Sequence, residues 1–106
     1  MKKNIIILGS TGSIGLSTLS VIKKNYNFKI KLLSSNRNIN KLYKQALNFK
    51  VKDVIIEDYN LYNKYKNIFK KKKIRLHYKL ENISKIIKTK VDFSINSISG
   101  INGLEP

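Results

Sequence analysis

The sequence predicts one small α/β domain built on a doubly wound, mainly parallel sheet with helices on both faces. Short apolar runs alternate with amphipathic stretches along the whole chain, which is typical of repeated βαβ units. Several of these runs are continuously apolar, as strands covered on both faces are. A glycine-rich turn follows the first run. The 106 residues contain no linker or internal repeat, so a single domain over residues 1–106 is expected.

The order of the predicted elements is β-α-β-α-β-α-β-α-β. The strands are the apolar runs at residues 5–8, 28–34, 51–57, 74–78 and 91–99. The helices lie between them, within residues 13–24, 42–49, 61–69 and 80–87. The run at 74–78 alternates apolar and polar residues, so this strand is expected near an edge of the sheet. Because a sheet this far advanced normally continues, the chain is expected to be truncated at its C-terminus.

Helical periodicity assigns an apolar face to each of the first three helices. These faces consist of Gly15, Leu19 and Ile22, with Ile14 and Val21 beside them, then of Leu42, Ala46, Leu47 and Phe49, and then of Leu61, Tyr62, Tyr65, Ile68 and Phe69. Asn38 or Asn40 is expected to cap the second helix and Asp58 the third, because their side-chain oxygens accept from first-turn amides.

The charge of the chain is strongly unbalanced, with 22 Lys and Arg against 6 acids and a net charge of +16. Such a balance raises nucleic acid as a partner. However, the lysines are spread over predicted helices, strands and turns, with one run at residues 70–73. The richness in Lys, Asn and Ile is also typical of AT-biased coding. A nucleic-acid partner is therefore the alternative and not the leading interpretation.

Several classes of protein are excluded or disfavoured by composition. The chain has no cysteine, which excludes disulfides, thiol catalysis and zinc–thiolate sites within it. No apolar run approaches the roughly 20 residues of a membrane span. The first apolar run stops after four residues at Gly9, so a signal peptide is not expected either. We expect a cytoplasmic protein without a membrane partner.

The glycine-rich turn is the most informative motif. Glycine recurs at every third position, Gly9, Gly12 and Gly15, between a predicted strand and a predicted helix. A diphosphate binds there when backbone amides at a helix N-terminus are accessible. Gly9 permits the tight turn, Gly12 lets the phosphate approach, and Gly15 lets the helix pack on the strand. Ser10, Thr11 and Ser13 have hydroxyls that can donate to phosphate or cap the helix, so a Rossmann-like dinucleotide site is predicted.

The end of the second strand indicates which dinucleotide binds. NAD enzymes usually carry an acid there for the ribose 2′-hydroxyl, whereas NADP enzymes have an arginine nearby for the 2′-phosphate. This chain reads Ser34-Ser35-Asn36-Arg37-Asn38, with no acid. The guanidinium of Arg37 offers several donors to phosphate oxygens, and Ser35, Asn36 and Asn38 can add neutral hydrogen bonds. NADPH is therefore the predicted cofactor.

These residues resemble the 1-deoxy-D-xylulose 5-phosphate reductoisomerase family. Ile-Leu-Gly-Ser-Thr-Gly-Ser-Ile-Gly at residues 7–15, followed by Ser17-Thr18-Leu19, is similar to the family's N-terminus. Three further stretches agree in order and spacing, namely residues 36–38 in place of the family's Gly-Lys-Asn, residues 42–49, and residues 91–92 with 100–106. Asn36 departs from the family's glycine, and Glu105 stands where an apolar residue is commoner.

The resemblance implies a cofactor site and an activity for the complete protein. It implies that the cofactor contacts Thr11, Gly12, Ser13 and Ile14 on its phosphate and nicotinamide side and Asn36, Arg37 and Asn38 at its 2′-phosphate end. Enzymes of this family rearrange 1-deoxy-D-xylulose 5-phosphate and reduce the product with NADPH to 2-C-methyl-D-erythritol 4-phosphate, in non-mevalonate isoprenoid biosynthesis. These enzymes require a divalent metal, Mg or Mn. In that family the acidic metal ligands, the substrate-phosphate residues and the flexible lid lie beyond position 106, which implies that the catalytic part is absent from this chain. A homodimer is expected at full length.

Other polar residues are not expected to act in catalysis. His77, the only histidine, is predicted to be a surface strand residue without a carboxylate partner. The six acids lack metal-ligand spacing, and Asp92 begins its strand, away from the carboxyl ends where ligands bind. Ser97, Ser99 and Gly100 end the fifth strand and are positional candidates for the cofactor crevice. Besides a nucleic-acid-binding protein, a stand-alone dinucleotide-binding module remains an alternative.

Overall fold

The computed structural model describes residues 3–24, 27–79, 83–87 and 90–96, which form a five-stranded parallel sheet and four helices. In chain order the elements are β1 (Lys3–Leu8), α1 (Ser13–Lys23), β2 (Phe28–Ser35), α2 (Ile39–Phe49), β3 (Asp53–Ile56), α3 (Tyr59–Lys71), β4 (Arg75–Tyr78), α4 (Ile83–Ile86) and β5 (Phe93–Asn96). The predicted order of elements is confirmed. The predictions for Leu80, Ser97, Ser99 and Gly100 fall outside the described residues.

The strand order is β4-β3-β2-β1-β5. From β1 the chain moves outward through β2 and β3 to β4, and it then returns to place β5 on the other side of β1. This reversal next to β1 is the switch point of a doubly wound sheet, where ligands bind beyond the carboxyl ends of the strands. The predicted edge position of β4 is confirmed for the described sheet. The β1–β2 register shifts once, so that Ile6 pairs with Leu32.

Helices cover both faces of the sheet, as predicted. Ile5 and Ile7 of β1 belong to a hydrophobic cluster that includes buried residues of α1, α2 and α3. Ile6, which points to the opposite face, belongs to a second cluster against which α4 packs. The continuously apolar strands are explained by these two clusters, because each face has its own covering layer.

The first helix buries the predicted face, with one correction. Gly15, Leu19 and Ile22 are buried, but Ile14 is 62% exposed and Val21 is also exposed. Ile14 and Val21 each precede a buried residue by one position, which turns them about 100° away from the sheet. Ile14 therefore lies on the surface beside the glycine-rich turn.

The second and third helices also differ from the prediction at one position each. Leu47 of α2 and Ile68 of α3 are exposed, whereas Phe69 is completely buried. The inner face of α2 is instead completed by Gln45, a polar residue. Apolar character alone misassigned Leu47, and the burial of Gln45 follows from a polar contact with the turn after β1.

Candidate cofactor site

The glycine-rich turn lies at the switch point of the sheet. Residues 9–12 join the end of β1 to the start of α1, and residues 36–38 join the end of β2 to α2. Because β1 and β2 are adjacent and parallel, both loops lie at the same edge of the sheet. The two predicted parts of the cofactor site are thus brought to one edge.

The three glycines have different structural reasons. Gly9 has a φ of 77°, a left-handed conformation that glycine adopts without strain. A Cβ on Gly15 would lie 2.5 Å from the carbonyl oxygen of Gly9 and 2.6 Å from Cα of Ser10, so only glycine fits there. Gly12 has a φ of −84°, which any residue adopts. Backbone conformation therefore does not require glycine at position 12, so the predicted approach of a ligand is the reason that remains to be tested for it.

The N-terminus of α1 differs from those of α2 and α3. The side chain of Asn38 accepts from the amide of Lys41, and the side chain of Asp58 accepts from that of Leu61. These bonds confirm both predicted caps. The N-cap of α1 is Gly12, and no side chain among the described residues caps this helix. The leading amides of α1 therefore have no side-chain acceptor among these residues, and the positive end of the helix dipole favours an anion there.

Ser10 is not available to a phosphate, contrary to the prediction. Its side chain is completely buried, and its hydroxyl donates to Oε1 of Gln45 at 2.7 Å. The backbone amide of Ser10 donates to the carbonyl of Ser34 at 2.8 Å, and the amide of Gly9 donates to the Ser34 hydroxyl at 2.9 Å. Ser10 therefore belongs to the support of the turn. The polar Gln45 within an apolar helix face was the sequence signal for this contact.

A pair of hydroxyls connects the two loops. Thr11 Oγ1 lies 2.8 Å from Ser35 Oγ, and Ser35 Oγ accepts from the amide of Asn38 at 3.1 Å. Ser35 is buried, so its hydroxyl belongs to this junction. The prediction that this hydroxyl binds the cofactor is therefore wrong. Thr11 and Asn38 both contact Ser35 at this junction. The phosphate turn and the loop after β2 are consequently held in a fixed relation.

Arg37 lies in the loop between β2 and α2, at the carboxyl edge of the sheet. Its side chain is 82% exposed, and its Nε lies 3.2 Å from Oδ2 of Asp58. The same carboxylate caps α3 through its other oxygen. An ion pair with an exposed partner stabilises the fold little, but it orients the guanidinium at the carboxyl edge of the sheet. Sequence reasoning assigned Asp58 to the cap and missed its contact with Arg37.

His77 has a carboxylate partner, which corrects the prediction. Its Nε2 lies 3.0 Å from Oδ1 of Asp53, and Arg75 donates to both oxygens of Asp53 at 2.7 and 2.8 Å. Burial raises the pKa of Asp53, but the hydrogen bonds from Arg75 and His77 outweigh it and hold this pKa below its usual value. Asp53 and Arg75 begin β3 and β4, at the edge of the sheet opposite to the glycine-rich turn. This cluster therefore joins two strands and is separate from the candidate site.

Asp92 also has a structural contact away from the carboxyl edge. It accepts a hydrogen bond from the amide of Asn4 at 2.7 Å and donates one from its own amide to the Asn4 carbonyl, so it joins the amino ends of β1 and β5.

Within the described residues no three His, Cys, Asp or Glu side chains lie close enough to hold a metal ion. They offer no donor set for the divalent metal that the resemblance implies. The described helices fall short of the length and apolar character that a membrane span requires.

Comparison with known sequences agrees with this geometry. The sequence profile described as 1-deoxy-D-xylulose 5-phosphate reductoisomerase matches residues 5–106, which is nearly the whole chain. The chain belongs to this reductoisomerase family. The 1-deoxy-D-xylulose 5-phosphate reductoisomerase of Pelagibacter ubique is 45% identical over 98% of this chain, and that of a Thermoanaerobacter species is 37% identical over the same share. The chain spans only 28% and 27% of the lengths of these relatives.

Solved structures of the reductoisomerase family have the same fold as this chain. The enzyme from Zymomonas mobilis in complex with NADPH superposes with a TM-score of 0.77 and 27% identity, covering 89% of this chain and 25% of that one. A second reductoisomerase structure, in complex with NADPH, fosmidomycin and magnesium, gives a TM-score of 0.72 at 24% identity. The superposition covers 91% of this chain and 24% of the reductoisomerase chain, and it shows that the two folds are alike.

Proposed function

We propose that this chain is the NADPH-binding domain of a 1-deoxy-D-xylulose 5-phosphate reductoisomerase. The observation that carries the proposal is the uncapped start of α1 at the switch point, opened by a glycine at position 12 that the backbone does not require. An anionic diphosphate satisfies leading amides that no side chain caps. Membership of the reductoisomerase family indicates which dinucleotide binds, since a related reductoisomerase binds NADPH.

The cofactor contacts follow from the two loops. The diphosphate lies against the backbone of Thr11, Gly12 and Ser13, where amides and the helix dipole favour negative charge. Ile14, exposed beside the turn, offers an apolar surface towards the nicotinamide side. NADPH supplies the hydride of the reduction when it is bound.

The 2′-phosphate end is assigned to Asn36, Arg37 and Asn38. Arg37 is exposed and oriented by Asp58, so its guanidinium is presented to solvent at the carboxyl edge. A phosphate accepts charge-assisted hydrogen bonds from such a group. Asn38 is engaged as the cap of α2, so its contribution to the cofactor is limited to groups not used by the cap.

The complete protein is proposed to convert 1-deoxy-D-xylulose 5-phosphate to 2-C-methyl-D-erythritol 4-phosphate with a divalent metal, as a homodimer in the cytoplasm. Since the chain spans 28% of the length of its Pelagibacter relative, we assign the metal ligands and the catalytic residues to the rest of the complete protein. The present chain forms one domain that binds the cofactor and holds it in place.

Two measurements test the proposed function. The purified full-length protein is expected to bind NADPH saturably, with tighter binding of NADPH than of NADH, in a fluorescence titration. It is also expected to oxidise NADPH only when both 1-deoxy-D-xylulose 5-phosphate and Mg²⁺ are present, as followed by absorbance. The absence of saturable NADPH binding contradicts the site, whereas NADPH binding without turnover contradicts only the assigned reaction.

A further inference from the structure

Gln45 lies directly behind the glycine-rich turn and is only 7% exposed. It is the polar member of the inner face of α2, between the buried Leu42 and Ala46. Its amide makes two hydrogen bonds, both to Ser10. The Ser10 hydroxyl donates to its Oε1 at 2.7 Å, and its Nε2 donates to the carbonyl oxygen of Ser10 at 2.9 Å. Because the carbonyl oxygen can only accept, this pairing fixes which end of the amide faces the turn.

We propose that Gln45 is a positioning residue that sets the direction of the phosphate-binding amides. The proposal rests on the proposed function of the turn and adds to it a residue that does not contact the cofactor. Gln45 acts through the peptide between Ser10 and Thr11, by holding the carbonyl of that peptide towards α2.

The physical step is the planarity of that peptide. In a trans peptide the carbonyl oxygen and the following N–H point in opposite directions. Holding the Ser10 carbonyl towards the buried Gln45 therefore turns the Thr11 N–H away from α2, out of the core. The side of the turn that faces away from the core is the side on which a diphosphate can approach.

Two other parts of the molecule hold the rest of the turn, whereas the carbonyl of the Ser10–Thr11 peptide is held by Gln45. The strand β2 holds the amides of Gly9 and Ser10 through Ser34. The helix α1 packs against the turn at Gly15, where a Cβ would overlap the backbone. Neither contact fixes the Ser10 carbonyl, which Gln45 binds. A buried amide costs free energy unless it is paired, and an apolar residue here would avoid that cost.

Two variants separate the hydrogen bonds of Gln45 from its bulk. Gln45→Met keeps the length of the side chain and removes both bonds. Gln45→Glu keeps the shape and the acceptor but, when ionised, removes the donor to the Ser10 carbonyl. At pH 8 both variants of the full-length protein are expected to bind NADPH about tenfold more weakly than wild type, the effect of one buried group left unsatisfied.

The pH dependence of Gln45→Glu provides a second readout, which is measured on folded protein at each pH because an ionised buried carboxyl group also lowers stability. When the buried carboxyl group is protonated it can donate again to the Ser10 carbonyl, and burial raises its pKa. As the pH is lowered from about 8 to about 5, the affinity of Gln45→Glu relative to wild type at the same pH is expected to recover. The wild-type titration at each pH corrects for protonation of the cofactor's own 2′-phosphate.

Leu42→Val is the matched control. Leu42 is buried on the same face of α2 and has no contact with the turn through hydrogen bonds, so its truncation lowers stability without changing NADPH affinity. If folded Gln45→Glu binds NADPH like wild type at every pH, the positioning role is overturned. If Gln45→Met does not fold, Gln45→Glu near pH 5, isosteric and uncharged, carries the comparison. Failure of wild type to bind NADPH would instead contradict the proposed function.

Discussion

At the residue scale, single positions in the turn have distinct physical roles. Gly9 serves the backbone and Gly15 serves packing, whereas the backbone does not require glycine at position 12, where we propose that a ligand approaches. The sequence predicted this division from spacing alone, and the structure supports it for Gly9 and Gly15. The buried roles of Ser10, Ser35 and Gln45 were not predicted, because they depend on which loops meet in space. No local pattern distinguishes a hydroxyl that faces a cofactor from one that faces a neighbouring loop.

Replacing Gly15 by alanine is expected to lower the free energy of unfolding by about 3 kcal/mol, at the upper end for overpacking. The added Cβ would overlap backbone atoms of Gly9 and Ser10, which cannot move aside as a flexible side chain can. Urea denaturation followed by circular dichroism measures the change. Ser17→Ala, on the exposed side of the same helix, is the control and should change stability by less than about 0.5 kcal/mol. Equal stability of Gly15→Ala and wild type would contradict the packing described for the turn.

Replacing Arg37 by glutamate is expected to weaken NADPH binding at least about tenfold and to abolish the preference for NADPH over NADH. The reason is the loss of charge-assisted hydrogen bonds, which contribute about 1.5–3 kcal/mol, and their replacement by repulsion. Parallel titrations with both cofactors measure the preference. Lys44→Glu, exposed on α2, changes the net charge equally and should retain the preference. An unchanged ratio of the two affinities in Arg37→Glu would remove Arg37 from the site.

At the scale of elements, all nine predicted helices and strands correspond to elements of the described structure. Periodicity identified them because parallel strands are apolar on both faces and helices on one. It misassigned Ile14, Val21, Leu47 and Ile68, since a chain rich in isoleucine and leucine also exposes some of them. Periodicity could not predict side-chain contacts between strands, such as the ion pair of Asp53 with Arg75. These residues are 22 positions apart and meet only because β3 and β4 pair.

The Asp53 cluster is expected to make stability depend on pH in the acid range. Since the folded-state pKa of Asp53 is lowered, the ionised carboxylate stabilises the fold at pH values above its unfolded pKa of about 4. This contribution is lost as the pH falls from about 4 through the lower folded-state value. Asp53→Asn should therefore lower stability at pH 7 by about 1 kcal/mol, a modest figure because Arg75 is exposed and screened by solvent.

Urea denaturation of wild type and Asp53→Asn between pH 3 and pH 7 measures this dependence, since about pH 3 lies below the unfolded pKa. The difference in stability between the two proteins should shrink as the pH is lowered. Asp92→Asn serves as a second comparison, because Asp92 accepts a hydrogen bond from the backbone amide of Asn4 and its ion pair, at 3.8 Å, is with the exposed Lys90. A difference that stays constant over the whole pH range would contradict the lowered pKa of Asp53.

At the scale of the whole molecule, the large positive charge and the dinucleotide site lead to different expectations. Binding of DNA by charge alone releases counterions, so its affinity falls steeply with salt. In the proposed site NADPH is bound by backbone amides as well as by charge, so its affinity should fall more gently with salt.

Between about 50 and 200 mM NaCl, NADPH affinity is expected to fall by less than about tenfold, against about 1000-fold or more for a DNA duplex bound through many phosphates. Fluorescence titrations of NADPH and anisotropy titrations of a labelled duplex measure both on the same protein. If the affinity for NADPH fell as steeply with salt as the affinity for DNA, the result would favour non-specific attraction by the lysines.

The most direct measurement is calorimetric titration of NADPH into wild type and into Gly12→Val. Because Gly12 has an ordinary φ, the variant should fold with little loss of stability, while its side chain obstructs the diphosphate beside the first amides of α1. We expect saturable binding of one NADPH per wild-type chain and a loss of at least about 100-fold in affinity for the variant, equivalent to about 2.7 kcal/mol. Equal affinity of the folded variant and wild type would contradict a diphosphate bound at this turn.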